Sequence, residues 1–113
     1  MSQLMIVNVV FSMTSLLFIG LSIPLILGKV KPNSTYGMRT AKTLSNPETW
    51  YAANKVMGRD LLLAGIAMLV TSLIVLSMGD GQKLETAALI QVGVMMVALL
   101  LAVLHSFSAL NRM

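Results

Sequence analysis

The sequence predicts an all-α membrane protein: three transmembrane helices, the first two joined by a long polar loop that contains a short amphipathic helix. Three observations predict it. Of the 113 residues, 57% are hydrophobic and 11% are charged, and the mean hydropathy is +0.85, too apolar for a soluble domain of this length. The apolar residues gather into three runs, about 5–27, 61–78 and 87–104, each close to the roughly 20 residues that a helix needs to cross the hydrocarbon. The stretch between the first two runs, residues 29–60, holds six of the eight Lys and Arg residues (Lys29, Lys31, Arg39, Lys42, Lys55 and Arg59), the only Trp and both Tyr. Residues 1–113 read as a single three-helix domain.

The first run is expected to be an uncleaved transmembrane helix. No Lys or Arg precedes Lys29, the run is longer than a signal core of about 7–15 residues, and no A-x-A-like site follows it. Pro24 falls about one turn from its end, where neighbouring helices can satisfy the carbonyl it frees. Orientation follows from the basic residues. The second connection, Gly79–Thr86, carries Lys83 beside Asp80 and Glu85, and Arg112 ends the third helix. Placing Lys and Arg on the cytoplasmic side puts the N-terminus out and the C-terminus in, with the long loop inside. The net charge of +4 then belongs to a membrane surface, and no nucleic-acid partner is expected.

In the loop, Pro32, Asn33, Ser34 and Gly37 predict irregular, hydrated chain from Lys29 to about Ser45. Ser45-Asn46-Pro47-Glu48 is a helix start: Ser45 or Asn46 caps free N–H groups, Pro47 fits the first turn and Glu48 suits the positive end of the dipole. The helix that follows carries Trp50 and Tyr51, suited to the headgroup layer. It either lies on the inner surface or rises unbroken into the second run. Small and polar residues recur at helical spacing on all three spans: Asn8, Ser12, Ser15 and Ser22 on the first, Tyr51, Gly58, Gly65, Ser72 and Gly79 on the second, with Asn54 beside them. The third carries Gln91, Ala98, Ala102, His105 and Ala109. Such faces let helices approach closely and hydrogen-bond in lipid, which predicts a compact bundle of three helices or of several protomers.

Catalytic chemistry finds no purchase. There is no Cys, no nucleophile elbow, no phosphate-cradling glycine loop and no spaced pair of carboxylates, so no catalytic residue, metal ligand or cofactor is expected. His105 is expected to be a hydrogen-bonded residue near the inner end of its helix with no carboxylate beside it, and Asp60 to pair with Arg59 or anchor a helix end. Arg39, Thr40, Lys42 and Thr43 with Gly37 offer donors to an anionic headgroup or phosphate.

Tyr36-Gly37-Met38-Arg39-Thr40, then Lys42-Thr43, Asn46, Trp50, Asn54-Lys55 and Gly58 resemble the signature of the SdpI-type family of bacterial membrane proteins. The match spans about twenty-three residues, at the position between two spans that the family's frame requires. The resemblance implies a multi-pass protein of the bacterial cytoplasmic (inner) membrane that gives immunity to a secreted antimicrobial peptide toxin, in some members linked to signalling. Such a protein would be non-catalytic, with the lipid bilayer, a peptide toxin and a further copy of itself as the expected partners. Tyr36, Gly37, Arg39, Thr40, Lys42, Thr43, Asn46, Trp50, Asn54 and Gly58 would form the functional surface. In this reading Arg39 is the fixed charge at the centre of a hydrogen-bond network with Asn46 or Asn54, Gly37 makes a tight turn, Trp50 docks the helix and Gly58 allows close packing. Two other classes stay open: a small transporter or channel component built around Gln91, His105 and the serine faces, and a membrane enzyme using Arg39, Lys42 and Asp60 on lipid or phosphate groups.

Overall fold

The computed structural model describes residues 2–79 and 81–113; Asp80, counted among the charges of the second connection, lies outside the described residues. The chain forms α1 (Gln3–Ile26), α2 (Ala41–Leu44), α3 (Pro47–Ser77) and α4 (Leu84–Asn111). All three long helices are long and apolar enough to cross a membrane.

Each boundary has a local cause. Ser2 opens α1 by accepting the Met5 N–H at 3.1 Å, and Gly28, at φ +69°, closes it while its N–H reaches the Leu25 carbonyl. Asn46 caps α3 through the Glu48 N–H at 2.9 Å, with Pro47 in the first turn. From there the helix runs 31 residues without a break, about 46 Å at 1.5 Å per residue. The loop helix and the second span are therefore one element, which rises out of the surface rather than lying on it. The stretch expected to be irregular to Ser45 contains a helical turn, α2. Thr40 and Thr43 cause it by capping one another, side chain to backbone in both directions.

α1 and α4 flank α3 and touch one another over only a few residues. The interior is polar and small where a soluble bundle would be apolar. Asn8, Ser15, Ser22, Ser72, Gln91 and Ser106 are buried beside a few apolar residues such as Leu25, Met68, Val75 and Leu110, whereas most Leu, Ile, Val and Met cover the outside. That inversion is what lipid demands: apolar side chains gain nothing from leaving hydrocarbon, so close backbone approach and hydrogen bonds must hold the helices together. The seven-residue ladder on α3 supplies the approach to α1. A Cβ on Gly58 would sit 3.1 Å from the Ile26 backbone nitrogen, and one on Gly65 would sit 3.2 Å from the Ser15 carbonyl oxygen. Farther along, Gln91 of α4 joins all three helices, accepting from Ser72 at 2.8 Å and donating to Asn8 at 2.9 Å. The hydroxyls of Ser15 and Ser22 bond their own helix, to the Phe11 and Ile19 carbonyls.

The α4 stripe holds for Gln91 but drifts at the other end. Ser106 and Leu110 take the buried positions, and His105 turns outward. The loop between α1 and α3 lies at the same end of the bundle as the C-terminus of α4, because the Lys42 ammonium donates to the Leu110 carbonyl at 2.8 Å.

Candidate functional site: a signature cap on the helix bundle

The residues of the signature fold into a cap over that end, and its centre is the backbone of Met38, held through both its N–H and its C=O. The Met38 N–H donates to Asn54 Oδ1 at 2.6 Å, and the Met38 carbonyl accepts from Thr43 Oγ1 at 2.9 Å. Asn54 Nδ2 is anchored in turn on the Trp50 carbonyl at 2.9 Å. Met38, Thr43 and Asn54 are all buried, so these bonds replace water that the site excludes, and a polar group left there without a partner would be costly.

Four further contacts bring the chain to this point. Asn33 Oδ1 accepts the N–H groups of Thr35 and Tyr36 at 2.9 and 2.7 Å, an Asx turn that reverses the loop. The Tyr36 hydroxyl donates to the Leu21 carbonyl on α1, and burial raises its pKa above the ordinary value. Gly37 follows at φ +108°, where a Cβ would stand 2.7 Å from Asn54 Oδ1 and 3.2 Å from the Trp50 ring. Only glycine fits both that backbone and that space. The fully buried Trp50 donates from its indole to the Val30 carbonyl at 2.8 Å, pinning the start of the loop to α3.

The cap thus uses the signature in three ways. Trp50, Asn54 and Thr43 are its buried scaffold, Gly37 and Tyr36 shape the half-buried turn over it, and Gly58 lets α1 close against α3 just beneath it. Thr40, Lys42 and Asn46 fix its ends through the α2 capping box, the α4 terminal carbonyl and the α3 cap. Arg39 stands apart. Its side chain is exposed and, among the described residues, donates no hydrogen bond and makes no ion pair. The hub is Asn54, not Arg39, and Asn46 is engaged with Glu48. The physical reason is size and neutrality: a buried amide can accept from the Met38 N–H and donate to backbone carbonyls, whereas a guanidinium would bring a charge that nothing here neutralises.

A second group of polar residues lies between α3 and α4, one turn farther from the cap. Asp60 Oδ2 sits 2.7 Å from His105 Nδ1 and accepts from Ser106 Oγ at 2.8 Å. Asp60 therefore does not pair with Arg59, since adjacent residues leave a helix in different directions, and His105 does have a carboxylate beside it. Their pairing was legible in outline: Asp60 immediately precedes the second apolar run and His105 immediately follows the third, so antiparallel helices bring both to one level. Ser106 carried no such signal. A cleft of about 460 Å³ opens at this group, floored by Ala64, Ala67, Ala98 and Ala102. A second cleft between α3 and α4, of about 260 Å³, has Arg39 among its lining residues.

The enzyme constellation of Arg39, Lys42 and Asp60 is not assembled: Lys42 is held by Leu110 and Asp60 by His105 and Ser106. Among the described residues no three His, Asp or Glu side chains gather into a metal-sized cluster.

Fold and cap together define a multi-pass membrane protein with a structured polar cap at one end. A family model described as the SdpI/YfhL protein family matches residues 29–108, from the first loop residue through most of α4. The chain belongs to the SdpI/YfhL protein family. No curated protein and no solved structure matches it.

Proposed function

We propose that this chain is a non-catalytic immunity protein of a bacterial inner membrane, protecting the cell that carries it against a secreted antimicrobial peptide. The family match across residues 29–108, which takes in the whole cap, carries this reading. The protein acts by binding: it holds the toxin in the bilayer or occupies a lipid the toxin needs. The cap and C-terminus face the cytoplasm, in keeping with the six Lys and Arg residues of the first loop, where a signalling partner would also dock. Assembly with further copies would cover exposed helix faces. The test is survival of a sensitive strain carrying the native protein, challenged with a panel of secreted antimicrobial peptides. Protection is expected against at least one member, and none across the panel at matched membrane levels sinks the reading.

A second reading, a small transporter, is favoured by one observation: a titratable pair, Asp60 and His105, at the mouth of a cleft between two spans. Proton or ion flux in liposomes that disappears in Asp60→Asn would support it.

A further inference from the structure

Among the ten residues expected to form the functional surface, Arg39 is the one whose side chain makes no polar contact within the described residues, and it borders an apolar cleft. The cleft of about 260 Å³ runs from Arg39 between α3 and α4, past Met57 and Leu61 on one wall and Phe107 and Leu99 on the other. From Phe107 to Leu99 is about 12 Å along the helix at 1.5 Å per residue, directed away from the cap and into the third apolar run. No carboxylate lines it. The one hydroxyl in its wall that faces α3, that of Ser106, is spent on Asp60, and Thr40 is spent on the α2 cap. The cleft therefore presents one fixed cation with free donors at a polar end and hydrocarbon along the rest.

We propose that this cleft is a binding site for an anionic phospholipid, with the lipid phosphate on the Arg39 guanidinium and part of one acyl chain lying along Met57, Leu61, Leu99 and Phe107. Charge selects the headgroup, because a guanidinium takes two phosphate oxygens at once and stands at the level where the protein leaves the hydrocarbon. Size selects the occupant. A helix with its side chains is about 10 Å across and does not enter a space of about 260 Å³, whereas a single chain does. A cationic peptide would also meet Arg39 with like charge. This site stands apart from the immunity reading and holds whether or not the protein confers protection.

The experiment is native mass spectrometry of the full chain, released from detergent with dioleoylphosphatidylglycerol or dioleoylphosphatidylcholine. Arg39→Gln, Arg39→Lys and the cleft-filling Leu99→Trp are measured beside it, and circular dichroism and Trp emission check each fold. The native chain should retain phosphatidylglycerol roughly fivefold better than phosphatidylcholine, the equivalent of one basic residue at an anionic surface. Arg39→Gln should abolish that preference, Arg39→Lys should keep part of it, and Leu99→Trp should weaken retention of both lipids. Equal retention of the two lipids by the native chain overturns the proposal. So does phosphatidylglycerol retention in Arg39→Gln that matches the native chain. Displacement of the lipid by glycerol 3-phosphate would show a site for free phosphate, and a dimer formed in place of lipid adducts would show the cleft to be a contact between copies; either result overturns it too. Since Arg39 is exposed, its variants should fold, and the native chain's preference decides the matter if they do not.

Discussion

Asn54 is where the account of the cap is most exposed to test. Replacing it with Ala removes the acceptor of the Met38 N–H, a bond of 2.6 Å at a buried residue. A buried donor left unpaired costs about 1–3 kcal/mol, and truncating a packed side chain leaves a small void that adds about 1 kcal/mol. The Trp50 carbonyl loses only its second donor, because it keeps its helical partner. Asn54→Ala should therefore destabilise the protein by about 2–4 kcal/mol. Asn54→Asp should also destabilise it. The new carboxylate keeps an acceptor for Met38 but loses the donor to Trp50 and sets a charge among carbonyl oxygens. Thr43 holds the carbonyl of the same residue, so Thr43→Ala and Asn54→Ala should couple by at least about 0.5 kcal/mol in a double-mutant cycle. The assay is reversible unfolding in mixed micelles followed by the emission of Trp50, the single Trp of the chain, which packs beside Gly37. A loss below about 0.5 kcal/mol for Asn54→Ala, the scatter of an ordinary surface change, would refute the claim that this amide is the hub.

Three other outcomes follow from the same geometry. Gly58→Ala should separate α1 from α3 and lower stability, because its Cβ meets the Ile26 backbone at 3.1 Å, whereas Gly93→Ala, with nothing within 4 Å, should be neutral or stabilise by up to about 1 kcal/mol; the same micelle titration compares them. Gln91→Leu cuts the bonds to Ser72 and Asn8 and should cost about 1 kcal/mol, at roughly 0.6 per intramembrane hydrogen bond, read as a lowered unfolding midpoint. Burial raises the Tyr36 pKa above 10.0, so its contribution is complete below the unfolded value and is lost as pH rises through the folded one. The native cap should weaken above about pH 10 more than Tyr36→Phe does, as seen in Trp50 emission.

Much of the frame was legible because its signals are strong and local. Three apolar runs give three spans, and Asn46-Pro47-Glu48 marks a helix start that the structure places there. The seven-residue ladder of Gly58, Gly65 and Ser72 names the face of α3 that its neighbours cover. The α2 turn was missed because its cause is a reciprocal pair of threonines, a weaker sign than the nearby proline and glycine. Tertiary partners were least legible. Nothing in the spacing says that Lys42 reaches the Leu110 carbonyl, 68 residues away, or that the network centres on a neutral amide while Arg39 is left facing out. Signature membership says that a residue matters, and only the fold separates those that build the cap from those, such as Arg39, that it presents.

That separation can be measured most directly by scoring protection and folding side by side in Arg39→Gln and Asn54→Ala, in a strain that the native protein protects. The account predicts that Arg39→Gln reaches the membrane, unfolds at the native midpoint and loses protection, while Asn54→Ala loses stability and protection together. Full protection by a folded Arg39→Gln protein would contradict it.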